Sequence, residues 1–427
     1  MDVTLSRNLT RVLGSGPLDF ALTPDDVAFR DELRSWLDAN LISFLEHWGA
    51  DDDQALHLTG ASNTKSEGFA RTQERRKDWQ RRLDDGRWAA INWPVDWHGR
   101  EATPIQNAIY SEEMARVRAP GIYNANGIWQ IGPMIIKCGT EEQHQRWLPG
   151  ILSADDHWCQ GFSEPEAGSD LANMRTTAIR DGDHYVVNGQ KTWISSAHLA
   201  QWGLFLLRTD PTAFERNAKH EGITAFIIDM RTPGIECRPI RDITGDTMLN
   251  EVFFTDVDGP ADCRLGGEGE GWQVAMSTLG HERVGTAGLS ITMAADLKSM
   301  ISTARAVNPE ALNDPELRDR IGRAFTAIEL TRLLNYRALT KIMKGLPNWP
   351  EVPLAKLQWS EISQTLAELG VDLLGPAGLL LKGGPDAVDG GTWTRSYSWQ
   401  RYTSIGAGAT EIQKNIIAKK AIKLPRK

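Results

Sequence analysis

The spacing of apolar residues changes period twice along the chain, and this constrains the fold more than any other feature of the sequence. Up to about residue 156 the pattern is helical. Thr23-Pro24 followed by Asp25 and Asp26 reads as a helix start: a capping hydroxyl, proline in the first turn, then acids at the positive end of the dipole. Phe29, Leu33, Trp36 and Leu37 then share one face. Further helices are expected over 73–84 and 104–118, and Thr140 with Gln143 has capping-box spacing for a helix running towards Leu148.

From about 157 strand character takes over. Segments 174–180, 184–187 and 191–194 are rich in Thr, Val, Ile and Trp, and Asp181-Gly182 and Asn188-Gly189 between them are dipeptides that supply positive φ in hairpin turns. Segments 203–208, 222–229 and 250–256 extend what reads as an antiparallel sheet without βαβ crossovers. Beyond the acidic glycine loop at 266–271, helices return at 272–303 (one helix or a kinked pair), 314–343, 354–374 and 410–422. The expectation is an α+β multidomain chain of helices, sheet and helices, with domains 1–156, 157–270 and 271–427.

Composition narrows the function. A net charge of −9 with no basic run argues against nucleic acid and against a charged membrane surface. No segment approaches the ~18 apolar residues of a membrane span. The first residues, MDVTLSRNLTRVLGSGPLDF, lack the apolar core of a secretory signal; Arg7 and Arg11 give a faint likeness to a transit peptide, and a short unstructured leader is the expectation. Cys138, Cys159, Cys237 and Cys263 show neither CxxC nor Cys/His ligand spacing, so no metal site and no disulfide framework is expected. Reduced thiols in a cytoplasmic protein follow.

No GxGxxG follows an expected strand, which leaves a Rossmann nucleotide site unsupported. The stretch Gly161–Asp170, GFSEPEAGSD, offers small residues that permit close backbone approach and hydroxyls that donate to carbonyl or phosphate oxygens. By itself it reads equally as a helix-capping loop. Together with VNGQKTWIS, however, it resembles the paired signature of the acyl-CoA dehydrogenase family. IGPMIIKCGTEEQHQRWLPGIL upstream and EVFFTDVDGP, GEGEGWQVAM and ATEIQKNIIA downstream agree, so the likeness runs from about Ala21 to Lys427.

The resemblance implies an N-terminal helical domain, a middle antiparallel β-barrel-like domain and a C-terminal four-helix bundle, with FAD between the last two. Carried over position by position, it places Gln160, Phe162 and Ser163 along the flavin ring, Ser169 near the FAD diphosphate or the substrate, and Trp193 and Ser195 over the isoalloxazine. Gly375 in DLLGPAG resembles the glycine segment that meets a neighbouring subunit's FAD. Phe162 and Asn173 depart from the signature's preference for an aliphatic and a small residue. The family's RKxFG segment is missing; VNPEALNDPELRDR stands there, with Arg318 or Arg320 as possible substitutes.

The implied chemistry needs a carboxylate to take the proton α to a thioester while the β-hydride leaves towards the flavin. Many family members place it just before the GTS(E/Q)IQ segment, where this chain has Ala407, which cannot accept a proton. Others place it in a LERL-like stretch; Leu279-Gly280-His281-Glu282-Arg283 matches, making Glu282 the candidate base and Arg283 a structural or CoA-facing cation. His281 is expected only to pack. The function implied is FAD-dependent dehydrogenation of an acyl-CoA with electron-transfer flavoprotein as acceptor, in a homo-oligomer or a heteromer with a related subunit. An acyl-CoA oxidase and a non-catalytic subunit of a mixed assembly are the competing readings.

Overall fold

The computed structural model describes residues 22–49, 67–281, 287–346, 351–381 and 384–424. Helix α1, Pro24–Trp48, starts as expected: Asp26 N–H donates to the Thr23 hydroxyl (3.2 Å) and Thr23 N–H to the Asp26 carboxylate (3.0 Å). Such a box satisfies two of the four amides every helix start leaves unpaired. Phe29, Leu33, Leu37, Leu41 and Phe44 form its buried stripe. Helices α2 (Glu67–Asp85), α3 (Pro104–Arg116), α4 (Gly132–Cys138) and α5 (Glu141–Leu152) complete the first layer, and α5 carries the Thr140–Gln143 box anticipated from its spacing. Trp79, Trp88, Trp93 and Trp147 fill the core between them.

Eight strands follow: β1 (Trp158–Gly161), β2 (Thr177–Asp181), β3 (His184–Ser195), β4 (Trp202–Arg208), β5 (Ile223–Asp229), β6 (Ile235–Ile240), β7 (Leu249–Pro260) and β8 (Arg264–Leu265). They pair in the order β6-β7-β3-β2-β4-β5-β8, with β1 beside β4. The sheet is not wholly antiparallel: β1 runs parallel to β4, and β2 meets β4 in parallel at Thr177 and Arg208. Asp181-Gly182 does open a hairpin, with Asp181 paired to His184 and Gly182 at φ +65°.

Asn188-Gly189 corrects a second expectation. It makes no turn, because β3 runs through it for 12 residues and the register against β7 shifts there instead. Gly189 is required by close approach: at φ +142°, a Cβ would lie 2.7 Å from Thr176. A glycine in a strand marks a bulge as readily as a turn.

The last layer holds α6 (Gly271–His281), α7 (Ala287–Val307), α8 (Pro315–Met343), α9 (Glu351–Leu374), α10 (Thr392–Trp399) and α11 (Thr410–Ile416). Met293, Leu297 and Met300 of α7 pack with Ile328 of α8 and Leu366, Leu369 and Leu373 of α9. A buried Arg395–Asp246 ion pair ties α10 to the loop between β6 and β7.

Candidate functional site

The motif loop begins where β1 ends. Glu164 and Ala167 exchange backbone hydrogen bonds of 3.2 and 3.0 Å, closing a turn around Pro165-Glu166. The Glu164 carboxylate turns inward and accepts the N–H groups of Arg175 (2.6 Å) and Thr176 (3.0 Å). It also accepts from Lys191 Nζ at 2.8 Å, and the Lys191 side chain is 0% exposed. Lys191 donates as well to the Phe162 carbonyl (3.2 Å), and Thr192 N–H to that of Ser163 (3.0 Å). The two sequence signatures therefore meet: one supplies a buried carboxylate, the other its ammonium. Burial alone would raise the Glu164 pKa, but Lys191 and the two amides outweigh it and hold the carboxyl below its ordinary range.

A second buried cation fixes the far end of the loop. Arg208 donates to the carbonyls of Ala172 (2.8 Å), Met174 (3.1 Å), Lys219 (3.0 Å) and Glu221 (2.9 Å). Lys219 in turn holds Asp170 at 2.7 Å on the surface. Between these anchors Ser169 is exposed, while Phe162 and Ser163 are half-buried. Gln160 Oε1 is buried with no protein partner.

Trp193 departs from regular strand backbone, as Asp256 of β7 also does at φ +48°. Between Lys191 and Ile194 the register against β7 slips by one residue, and Trp193 takes up φ +61° with 60% of its surface exposed. A left-handed conformation costs a non-glycine residue about 1–2 kcal/mol, and such strain gathers at ligand sites. Asn250 Nδ2 secures the Ile194 carbonyl at 3.0 Å, and Ser195 lies exposed beyond it. The bulge thus presents an indole and a hydroxyl beside the motif loop. A flat apolar face, hydroxyl donors and an unpaired amide oxygen suit a planar ring with a polar edge. Trp193 and Ser195 thus follow directly on the residues that hold the Phe162 and Ser163 carbonyls, and residue types of this kind suit the isoalloxazine of FAD.

The remaining expected residues lie elsewhere. Gly375, at φ +58°, ends α9 within the helical layer, where a Cβ would meet Asn308 at 3.2 Å. Arg320 pairs with Asp372 at 2.8 Å, three residues before Gly375, which brings one substitute arginine to the glycine segment. Arg318 instead reaches the Leu312 carbonyl at 3.3 Å. Ala407 is exposed at φ +52°. Glu282 and Arg283 lie outside the described residues.

Sequence reasoning missed Asp296. It is 3% exposed on α7, its Oδ2 has no partner, and burial, opposed by Arg118, pushes its pKa up to about 7. The periodicity of α7 offered no signal, since a lone acid on a helix reads as a solvated position. A folded-state pKa raised from 3.8 to about 7 means the native state binds a proton the unfolded chain releases, so stability falls as pH rises from about 4 to 7 and then levels. Asp296→Asn should therefore melt higher than the parent at pH 8, by up to roughly 4 kcal/mol at ~1.4 kcal/mol per unit, and should flatten that slope. Thermal melts of both proteins across this range check it.

Three family signatures cover the chain: acyl-CoA dehydrogenase N-terminal domain over residues 23–155, middle domain over 159–257 and C-terminal domain over 269–422. The chain belongs to the acyl-CoA dehydrogenase family. It is similar to acyl-CoA dehydrogenase IpdE1 of Mycobacterium tuberculosis, 37% identical over 93% of this chain and 97% of that protein. The short-chain specific mitochondrial acyl-CoA dehydrogenase of Homo sapiens is 31% identical over 77% of this chain and 78% of its own length. Among solved structures, the Tcur3481-Tcur3483 steroid ACAD superposes with a TM-score of 0.80 at 27% identity, covering 96% of this chain and 100% of that one. The ChsE4-ChsE5 complex from Mycobacterium tuberculosis superposes at 0.77 with 28% identity, covering 96% and 100%. As an acyl-CoA dehydrogenase the chain is an FAD-dependent oxidoreductase.

Proposed function

We propose that this acyl-CoA dehydrogenase removes the α-proton and β-hydride of an acyl-CoA thioester to give the 2-enoyl-CoA, with electron-transfer flavoprotein as the onward acceptor. The observation that carries the reading is Trp193, held outward in a left-handed bulge by a sheet locked to the motif loop through Lys191 and Glu164. Bound FAD supplies the two-electron acceptor. Gln160, Phe162, Ser163, Trp193 and Ser195 orient its ring, Ser169 meets the diphosphate or substrate, and Gly375 serves a neighbouring subunit's cofactor. Glu282 takes the α-proton, since Ala407 cannot, and Arg283 faces CoA. The domain limits 1–156, 157–270 and 271–427 and a cytoplasmic location belong to the same reading; among the described residues no helix is long and apolar enough to cross a membrane.

A mixed assembly with a related subunit is favoured over a homo-oligomer by the two-component names of the similar structures. Phe325, Leu330 and Leu333 expose apolar surface on α8, and Leu379 and Leu381 do so just after α9, as a subunit contact requires. Similarity to the Tcur3481-Tcur3483 steroid ACAD supports a bulky, ring-bearing acyl group. Anaerobic titration of the yellow protein with a panel of acyl-CoAs tests the reading. Loss of the flavin's visible absorbance with ring-bearing thioesters is expected. No bleaching by any thioester, alone or with the related subunit, would reject turnover; prompt reoxidation by O2 with peroxide release would make the chain an oxidase.

A further inference from the structure

The bulge that raises Trp193 is followed closely by a second left-handed residue. Trp193 sits at φ +61° and Ser196 at φ +58°, with Ile194 and Ser195 between them. Backbone of this kind needs outside support, because residues other than glycine avoid the left-handed region. The support comes from β7. Asn250, fully buried, donates from Nδ2 to the carbonyls of Ile194 and Met248, each at 3.0 Å. The Met248 carbonyl also takes the Ser196 N–H at 2.7 Å. With both amide hydrogens of Asn250 spent, only its oxygen is left to face His198, whose Nδ1 lies 3.0 Å away. Nδ1 is therefore the protonated nitrogen, and it donates.

The surroundings keep this imidazole neutral. Burial lowers the His198 pKa from its ordinary value, and His157, just before β1, is pushed down to about 4 by burial and by the nearness of His198. His157 is itself fixed by Asn124, which donates to the Asp156 carbonyl (2.8 Å) and accepts the Trp158 N–H (3.1 Å). A neutral imidazole has one N–H to give, and Asn250 receives it; Nε2 of His198 is buried with no partner among the described residues. We infer that His198 is a positioning residue for the cofactor: through Asn250 it fixes the backbone of Ile194 and Ser195, and so the attitude of the Trp193 indole and the Ser195 hydroxyl. This rests on the reading that those two groups face the flavin ring. Without the Nδ1 donor, the Asn250 oxygen becomes a buried acceptor left unmet, and the amide that secures the Ile194 carbonyl loses what orients it.

The test compares His198→Leu, His198→Asn and His198→Gln with the parent, each as the full FAD-loaded chain. An asparagine amide sets an N–H where Nδ1 stands, whereas a glutamine amide reaches the place of Nε2. The dissociation constant of FAD and the visible circular dichroism of the bound flavin are the readouts, since any lost buried hydrogen bond lowers the melting point. His198→Leu should weaken FAD binding about tenfold and alter the dichroism, and His198→Asn should return to within about threefold of the parent with its dichroism restored. His198→Gln should behave as His198→Leu does. Equal rescue by asparagine and glutamine, or a leucine variant with the parent's affinity and dichroism, overturns the assignment. Should the leucine variant not fold, the difference between asparagine and glutamine decides alone. Trp193→Ala, measured alongside, separates the two premises: if it changes neither readout, it is the flavin reading that has failed.

Discussion

In Glu282→Gln the flavin is expected to stay bound and yellow while its reduction by acyl-CoA slows by about 10²–10⁴-fold, the range a positioned general base contributes. The amide keeps the shape of the carboxylate but cannot take the α-proton. Nothing at the family's other position compensates, because Ala407 carries no acceptor. Stopped-flow mixing under nitrogen reads the rate directly, and unchanged FAD content excludes a folding defect. Rapid bleaching in the variant would show that Glu282 is not the base. The base would then be another residue of the chain, since Ala407 carries no acceptor.

Lys191→Met should cost about 3–5 kcal/mol of stability, because it leaves Glu164 charged, buried and without its cation. FAD retention should fall with it, since the Phe162 carbonyl loses the ammonium that anchors it. The sign of the pH dependence follows from Glu164. Its folded pKa is depressed, so the pair's contribution is present above the unfolded carboxylate value and fades as pH falls through the folded one. The gap in melting temperature between parent and variant should therefore narrow in acid. A gap constant from neutral to acid pH would show that packing of the lysine stem, not its charge, holds the loop. Glu164→Leu would not repair the variant, because the Arg175 and Thr176 amides would lose their acceptor.

Features with local causes were legible in the sequence. The capping boxes at Thr23 and Thr140 and the Asp181-Gly182 hairpin depend on residues within four positions of each other, and each occurs where its spacing places it. Features with distant causes were not. Asn188-Gly189 has the composition of a turn, but its glycine answers to Thr176 across the sheet. Strand β6, Ile235–Ile240, alternates too weakly around Pro239 to stand out and forms because β7 offers it an edge. Within the site, resemblance named Lys191's neighbours but not Lys191, whose partner lies 27 residues earlier in the chain. Arg208 and Asn124 were invisible for the same reason. Their work is to hold carbonyls and amides of other segments, which leaves no mark on their own surroundings in sequence.

The pattern of clamps also sets the order in which the molecule can be assembled as it is made. The motif loop is synthesised by residue 176, yet its anchors at Lys191 and Arg208 come later, and the bulge that raises Trp193 needs β7, which ends at Pro260. Even α5 waits, since Gln143 donates to the Asp262 and Arg264 carbonyls at 2.8 and 2.9 Å. Long-range closures of this kind form slowly and late. The surface proposed for the flavin therefore comes into being only when the sheet closes, so the nascent helical layer must remain soluble through more than a hundred residues of synthesis with no cofactor to steady it.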